Sequence, residues 1–302
     1  MNDLVGMPFS DPMKTQNMPE EWQKKTIDYG PSIKNADIVV TLNQNFSTAL
    51  QPLIKKYAQE TGLKIKTGNG TCGISAGKLS HKATDIGGYC CPPDTTDRLP
   101  GIRFHTLGIA AIAMIVHPDN PVQHVTLDQA QHIFSGEISR WSEIKPGLTL
   151  PIRTVARLHC KLRPGHWRML LDNEDLFSPQ LFEVGAIPDI ITMISDNQGA
   201  IGYETLWMVH RYKDKGKVKI IKLDGQDPSD SSTLLSGKYP LYRVLNITTW
   251  EGAHVENKHA QKLVEYLLEE VEHLNPVYAI ISPSRLRKAG WKFFGNELVG
   301  LP

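Results

Sequence analysis

Short apolar runs alternate with amphipathic stretches along most of the chain, and this pattern predicts its elements. The run DIVVTL at residues 37–42 predicts a buried strand, and the amphipathic stretch after it predicts a helix that ends at Gly62. LKIK at residues 63–66 and TDIGG at residues 84–88 predict the next two strands. The alternation of strand and helix is typical of an α/β protein with mostly parallel sheets.

The longest apolar run, LGIAAIAMIV at residues 107–116, has the length of a buried strand and is too short to span a membrane. After a turn that contains two prolines, Thr126 and Gln129 have the spacing of a helix capping box. VKIIKL and YPLYRVLNI predict later strands, and HAQKLVEYLLEE predicts a final amphipathic helix. The chain is long enough for two domains of ordinary size.

The balance of charged residues limits the kinds of partner that the protein is expected to bind. The 302 residues include 33 basic and 32 acidic side chains, so the overall charge favours neither nucleic acid nor an anionic membrane surface. Residues 1–35 are polar and without sustained periodicity, and we interpret them as an extension outside the core. They contain no apolar segment of the kind found in secretory signals, which neither shows nor excludes export.

All the cysteines fall on predicted loops: Cys72, Cys90, Cys91 and Cys160. Cys72 follows the turn GNGT and opens a predicted helix, whose first N–H groups favour anions. The adjacent pair Cys90 and Cys91 follows the third predicted strand, at the edge where open α/β sheets bind ligands. The cysteines therefore point to a binding site.

Several chemical interpretations of these cysteines stay open. The even number suits disulfides in an exported protein, with a connectivity that the sequence does not give. A metal or Fe–S site is a second interpretation, although no C-x-x-C pair is present. Nucleophilic catalysis is a third, because Cys160 lies beside His159. Histidines also lie near these loops: His81, His105, His159 and His166.

Several segments, taken in order, resemble the phosphate-binding proteins of ABC importers, which have the type II periplasmic binding-protein fold. The similarity runs from about residue 36 to about residue 268 and includes GNGTCGI, TDIGGYCCPP, LGIAAIAMIVHPDNPV, IFSGEISRWSEI, QGAIGYETL and YPLYRVLNI. The combination of IFSGEISRW with GAIGY is fairly specific, because unrelated α/β proteins have no reason to carry both.

The resemblance implies two α/β lobes joined by two hinge crossings, with a tetrahedral oxyanion in the cleft and closure on binding. After the N-terminal extension, residues 36–110 and 241–302 would form the first lobe, and residues 111–240 the second. The crossings are expected near residues 109–115 and 239–245. The resemblance also implies a periplasmic binding protein without catalytic residues, cofactor or metal.

Matched to the family's loops, five residues are expected to contact the ligand. Asn45 and Phe46 occupy the first loop, with Asn45 in place of a threonine. Thr71 matches a ligand-binding serine, and Cys72 occupies the next position, which opens the helix. Arg157 matches an arginine that pairs with the anion, since a guanidinium offers two parallel donors to an oxyanion.

Three further candidate ligand contacts depart from the family pattern. Lys161 and Arg163 stand where small hydroxyl residues are expected, in a basic loop that favours an anion. Cys90 stands where phosphate binders often carry an aspartate that accepts the proton of monohydrogen phosphate. A neutral thiol is a weak donor and cannot accept that proton in the same way, so plain phosphate is not the expected ligand.

A narrower resemblance, carried by Cys90, is to a branch of these proteins that senses arsenic oxyanions with a cysteine and signals to a membrane histidine kinase. It implies an oxyanion receptor, with arsenate as the first expectation because the basic loop favours an anion. The alternatives are an arsenite receptor that uses thiols, a phosphate receptor that works with an ABC permease, and a metal or Fe–S redox protein.

Overall fold

The computed structural model describes residues 9–31, 33–158, 170–171 and 173–302. The chain divides into two compact units: unit 1 contains the described residues up to Ile109 together with Val244–Pro302, and unit 2 is Ala110–Arg243. Within the described residues, no helix is both long and apolar enough to cross a membrane.

The first helices and strands, in chain order, are α1 (Glu20–Lys24), β1 (Ile38–Asn43), α2 (Ser47–Thr61), β2 (Ile65–Gly70), α3 (Cys72–Ser80), β3 (Ile86–Tyr89) and β4 (Ile102–Val116). Those that follow in unit 2 are β5 (His124–Val125), α4 (Leu127–Ser135), β6 (Arg153–Ala156), β7 (Phe182–Glu183), α5 (Ile187–Ser195), β8 (Ala200–Thr205), α6 (Leu206–Arg211), β9 (Lys219–Leu223) and α7 (Ser231–Leu235). The last are β10 (Tyr242–Trp250), α8 (Lys258–Glu270), α9 (Pro283–Lys288), β11 (Lys292–Phe294) and β12 (Glu297–Gly300). The predicted α/β class is confirmed, and the chain changes unit within β4 and again within β10.

The sheet of unit 1 is built around β1. This strand pairs in parallel with β2 on one side and with β3 on the other, and β10 pairs antiparallel with β3. β1 and β3 are buried along their whole length, so neither strand has a face exposed to solvent. β2 continues to Gly70, beyond the strand predicted at residues 63–66, because its backbone pairs with β1 as far as Asn43.

Local chemistry sets the ends of the helices in unit 1. α2 ends at Gly62, whose φ of 73° is accessible to glycine at little cost. Thr71 caps α3, because its hydroxyl oxygen accepts a hydrogen bond from the Ile74 N–H. α8 buries Leu263 and Val264. The helix stop at Gly62 and the buried face of the last long helix were both predicted from the sequence.

The described part of the N-terminal segment packs against unit 1. Phe9 is buried, and Lys82 donates hydrogen bonds to the carbonyl oxygens of Gln23 and Lys25. The Lys82 ammonium also lies 4.2 Å from the centroid of a Trp22 ring. Carbonyl oxygens and an aromatic face together replace the water that a buried ammonium loses. This part therefore belongs to the packed unit, contrary to the expectation of an extension outside the core.

Unit 2 contains a mixed sheet. β4 pairs antiparallel with both β8 and β9, whereas β6 pairs in parallel with β7 and β8. β5 also pairs in parallel with β9, so the two antiparallel pairings of β4 are the departure from the expectation of mostly parallel sheets. The apolar pattern does not reveal strand direction, because a strand buried on both faces is a continuous apolar run in either orientation.

The core of unit 2 lies between α5 and the sheet. Ile190, Ile191 and Ile194 of α5 pack with Ala113 and Val155 of the strands. The capping box predicted at the start of α4 is present, with the Thr126 and Gln129 side chains each bonded to the other's backbone N–H. This core holds β6 in place, and Arg157 follows directly after that strand.

Candidate functional site

The end of β1, the start of α3 and the end of β3 meet in unit 1. Parallel pairing of β1 with β3 brings the carboxyl ends of both strands to one edge of the sheet. β3 approaches the next loop so closely that a Cβ on Gly88 would lie 2.7 Å from the Asn43 backbone nitrogen and 2.9 Å from the Phe46 ring. Glycine at position 88 therefore permits the approach that brings Cys90 to the first residue of α3.

Cys72, Cys90 and Cys91 form a cluster that we call the thiol triad. The Sγ atoms of Cys72 and Cys90 are 3.2 Å apart, those of Cys90 and Cys91 are 3.9 Å apart, and all three lie within 4.8 Å of one another. These residues are 0, 2 and 0% exposed, respectively. They are thiols without disulfide bonds, so the disulfide interpretation does not hold among these three. Placed this way, they offer three sulfur ligands to one soft atom.

Asn43, the last residue of β1, contacts the sulfur of Cys72. Its Oδ1 accepts hydrogen bonds from the backbone N–H of Asn45 at 2.9 Å and from the Asn45 Nδ2 at 3.0 Å. The carboxamide orientation is thereby fixed, and Asn43 Nδ2 donates to Cys72 Sγ at 3.1 Å. The backbone N–H of Cys90 donates to the same sulfur at 3.1 Å. Two N–H donors thus point at the Cys72 sulfur.

Cys91 has the opposite electrostatic environment. Hydrogen bonds with Cys72 and Cys90, followed by burial, raise the pKa of the Cys91 thiol well above its ordinary value. Its backbone carbonyl accepts a hydrogen bond from Asn246 Nδ2 at 3.4 Å, which ties the residue to β10. Cys91 therefore keeps its proton at neutral pH.

The first loop has little donor capacity to offer an anion. The Asn45 N–H and Nδ2 both bond to the Asn43 side chain, and the Phe46 N–H donates to the Asn43 carbonyl at 3.2 Å. Asn45 is 7% exposed, and its Oδ1 has no hydrogen-bond partner among the described residues. The loop therefore holds a buried acceptor, which suits a ligand that carries an O–H group.

The structure places the predicted site residues in three groups. Asn45, Phe46, Thr71, Cys72 and Cys90 all lie in unit 1, around the end of β1 and the start of α3. Arg157 lies in unit 2, where it is 6% exposed, and its contact with a ligand stays a prediction. The predicted contacts Lys161 and Arg163 lie outside the described residues, as do Cys160 and His159.

Two residues of the cluster were not among the predicted ligand contacts. Asn43 is a polar residue at the end of a strand that is buried along its whole length, and that position was the signal for it. Cys91 is adjacent to a predicted contact, yet the alternation of side chains along an extended chain separates neighbours, so only the turn after β3 brings both sulfurs to one place.

Comparisons with known proteins agree with the fold. The profile of the PBP superfamily domain matches residues 30–271. The phosphate-binding protein PstS of Bacillus subtilis is 24% identical over 206 residues, which are 65% of this chain and 65% of that protein, just under two thirds of its length. The phosphate-binding protein PstS of Staphylococcus saprophyticus is 24% identical over 240 residues, covering 73% of this chain and 72% of the relative.

Solved structures show the same fold at low identity. An ABC-type phosphate transport receptor from Vibrio cholerae superposes with a TM-score of 0.68 at 19% identity, covering 82% of this chain and all of the other. A phosphate ABC transporter substrate-binding protein from Clostridium perfringens, with bound phosphate, gives a TM-score of 0.69 at 17% identity and covers 81% of this chain and 98% of the other. At such identities the superposition supports the fold, and the ligand has to be argued from the site itself.

Proposed function

The chain belongs to the PBP superfamily, and on that premise we propose that it is an extracytoplasmic solute-binding protein for an arsenic oxyacid, with arsenite as its first ligand. In this role it binds and does not catalyse. The observation that carries the proposal is the thiol triad, three buried sulfurs within 4.8 Å of one another.

The chemistry of trivalent arsenic matches this arrangement. Arsenous acid, As(OH)3, is neutral at pH 7, and its arsenic is soft enough to prefer sulfur to oxygen. Condensation follows As(OH)3 + 3 RSH → As(SR)3 + 3 H2O, in which three As–O bonds are exchanged for three As–S bonds without any change of oxidation state. The product carries no net charge, so it can form at sulfurs that are at most 2% exposed.

The net charge of the bound complex distinguishes arsenite from a metal ion. Three thiolates around a divalent ion leave one negative charge in a buried place, and an uncompensated buried charge is costly. Burial contributes to the raised pKa of the Cys91 thiol, so the surroundings of Cys91 disfavour its thiolate. These facts favour a neutral trivalent centre over the metal or Fe–S alternative.

The first loop favours arsenite over arsenate. Arsenate is an anion at neutral pH and presents oxygens that require donors, whereas the N–H groups of Asn45 and Phe46 already bond to Asn43. The buried Asn45 Oδ1 is an acceptor and suits the O–H group of arsenous acid before condensation. The sequence favoured arsenate through its basic loop, and the contacts of unit 1 support the neutral ligand instead.

A phosphate or arsenate receptor is the second candidate. Both relatives described above are named as phosphate-binding proteins, and the buried Arg157 of unit 2 is a residue type that pairs with oxyanions. In that case the partner would be an ABC permease, whereas a membrane histidine kinase would suit a sensor of arsenic.

Calorimetric titration of the reduced protein with sodium arsenite, sodium arsenate and inorganic phosphate tests the proposal. We expect one arsenite per chain, bound more tightly than either anion. Native mass spectrometry should show the mass of one arsenic added and three hydrogens lost, because each As–S bond removes a thiol proton.

Serine variants supply the control. Cys91→Ser should weaken arsenite binding by at least tenfold, since it removes one of three As–S bonds, whereas Cys160→Ser should leave arsenite binding unchanged. Tighter binding of phosphate or arsenate than of arsenite would overturn the proposal in favour of the second candidate. Equal arsenite affinity in the wild type and Cys91→Ser would also contradict it.

A further inference from the structure

The three sulfurs of the triad are chemically different before any ligand arrives. We infer that Asn43 is a positioning residue that holds Cys72 as the thiolate, so that Cys72 bonds to arsenic first, Cys90 second and Cys91 third. The order of bond formation depends on the proposed arsenite ligand, whereas the ionisation of Cys72 can be measured without it.

The orientation of Asn43 carries the first step. Two donors from Asn45 occupy its Oδ1, so only the NH2 group can face Cys72 Sγ, which lies 3.1 Å away. A carboxamide NH2 stabilises a sulfur that carries negative charge more than one that carries a proton. Asn43 is 1% exposed, so water does not compete for this hydrogen bond.

Two further features favour the Cys72 thiolate. The Cys90 N–H donates to the same sulfur at 3.1 Å, and Cys72 is the first residue of the nine-residue helix α3. The partial positive charge of a helix N terminus lowers the cost of ionising a cysteine there. The thiols of Cys90 and Cys91 are titratable groups that face Cys72, and both are neutral when protonated.

The distances between the sulfur atoms determine the order in which the second and third As–S bonds form. The Cys72 thiolate attacks arsenic, and the departing hydroxide takes the proton of Cys90, whose sulfur is 3.2 Å from that of Cys72. The new Cys90 thiolate forms the second As–S bond, and the second hydroxide takes the proton of Cys91, 3.9 Å further along. Cys91 forms the third bond. The third hydroxide combines with the proton that Cys72 had released, which gives three waters in total.

A pH titration tests the ionisation of Cys72 without arsenic. Thiolate ultraviolet absorbance is measured in a Cys160→Ser background, with Cys72, Cys90 or Cys91 as the single remaining thiol. We expect the Cys72 protein to ionise at the lowest pH. Asn43→Asp keeps the shape and the acceptor oxygen but loses the donor and adds charge, so the Cys72 midpoint should rise by at least one pH unit.

Stopped-flow mixing with sodium arsenite tests the order of bonding. At pH 7, Asn43→Asp and Asn43→Leu should slow association at least tenfold and move the pH–rate profile upward, with one arsenite still bound per chain. Asn120→Leu is the matched control, because it removes a buried carboxamide of unit 2 that bonds to the Gln198 carbonyl and the Val122 N–H. Its pH–rate profile should match that of the wild type.

The possible failures are distinguishable. A Cys72 midpoint at or above that of Cys90, or one that Asn43→Asp does not move, would overturn the role of Asn43 whatever the ligand is. Arsenite binding with an unchanged pH–rate profile in both Asn43 variants would do the same. Absence of arsenite binding, with Cys72 still the first thiol to ionise, would refute the proposed function and the bonding order but leave the Asn43 contact as the cause of ionisation.

Discussion

The close approach of β3 to the loop after β1 makes a quantitative prediction for Gly88. A Cβ at this position would lie 2.7 Å from the Asn43 nitrogen, 2.9 Å from the Phe46 ring and 3.1 Å from the Thr41 carbonyl oxygen, whereas ordinary contacts begin at 3.4 Å. Two of these three atoms are backbone, so β3 has to move by up to about 0.7 Å to accept a methyl group. Gly88→Ala should therefore destabilise the protein by roughly 1–3 kcal/mol.

Gly77 offers a matched control on the helix that carries Cys72. It lies within α3, and a Cβ there would meet nothing within 4 Å. Because glycine inside a helix costs about 0.5–1 kcal/mol relative to alanine, Gly77→Ala should stabilise the protein by about that amount. The same chemical change thus has opposite signs at the two positions.

Urea denaturation, followed by circular dichroism, measures both effects. Gly88→Ala should lower the unfolding midpoint with little change in slope, and Gly77→Ala should raise it. A strand displaced from Asn43 also separates Cys90 from Cys72, so arsenite affinity should fall in Gly88→Ala and persist in Gly77→Ala. A Gly88→Ala protein as stable as the wild type would refute the close approach of β3 to Asn43 that brings Cys90 beside Cys72.

Three further predictions concern buried charge and the ligand. Arg98 and Glu297 form a buried two-point ion pair at 2.6 and 3.2 Å, so Arg98→Met should cost about 3–5 kcal/mol in urea denaturation, and adding Glu297→Leu should restore most of it. Burial lowers the pKa of His105 to about 4, so the imidazole takes up a proton in the unfolded chain, but not in the folded one, as the pH falls from about 6.5 to 4. The free energy of unfolding should therefore decrease by about 3 kcal/mol over this range. A His105→Gln protein with the same pH dependence would contradict this. Cys90→Asp replaces a sulfur ligand by a proton acceptor, so calorimetry should show weaker arsenite binding and stronger phosphate binding, and unchanged selectivity would count against the role of Cys90.

The parts of the fold that the sequence predicted are those set by neighbouring residues. The helix stop at Gly62 depends on one glycine with positive φ, and the capping box of α4 depends on Thr126 and Gln129, three residues apart. Neither needs information from distant parts of the chain. The direction of β8 and β9 beside β4 depends on chain topology, which is why the sequence pattern did not reveal it.

The features of the candidate site also divide into those set by nearby residues, which were predicted, and those set by distant pairing, which were not. The position of Cys90 at the end of a strand was predicted, since it follows from the strand pattern and from the rule that ligands bind at carboxyl ends of parallel strands. Its 3.2 Å contact with Cys72 joins residues 18 positions apart and requires the pairing of β1 with β3. Burial of Cys72, Cys90 and Cys91 was not predicted, because residues in glycine- and proline-rich turns are ordinarily exposed.

The ligand that we propose for this chain is argued from charge more than from fold. A scaffold that brings strand ends and a helix N terminus together can hold an anion when N–H groups face the ligand and an acceptor takes its proton. Here the N–H groups of Asn45 and Phe46 bond to Asn43, and Cys90 stands at the position that the sequence resemblance matches to that acceptor. In our proposal, exchanging those groups on one fold replaces a preference for charge with a preference for an atom that bonds to sulfur. Arsenous acid, the neutral trivalent oxyacid of our proposal, meets both conditions.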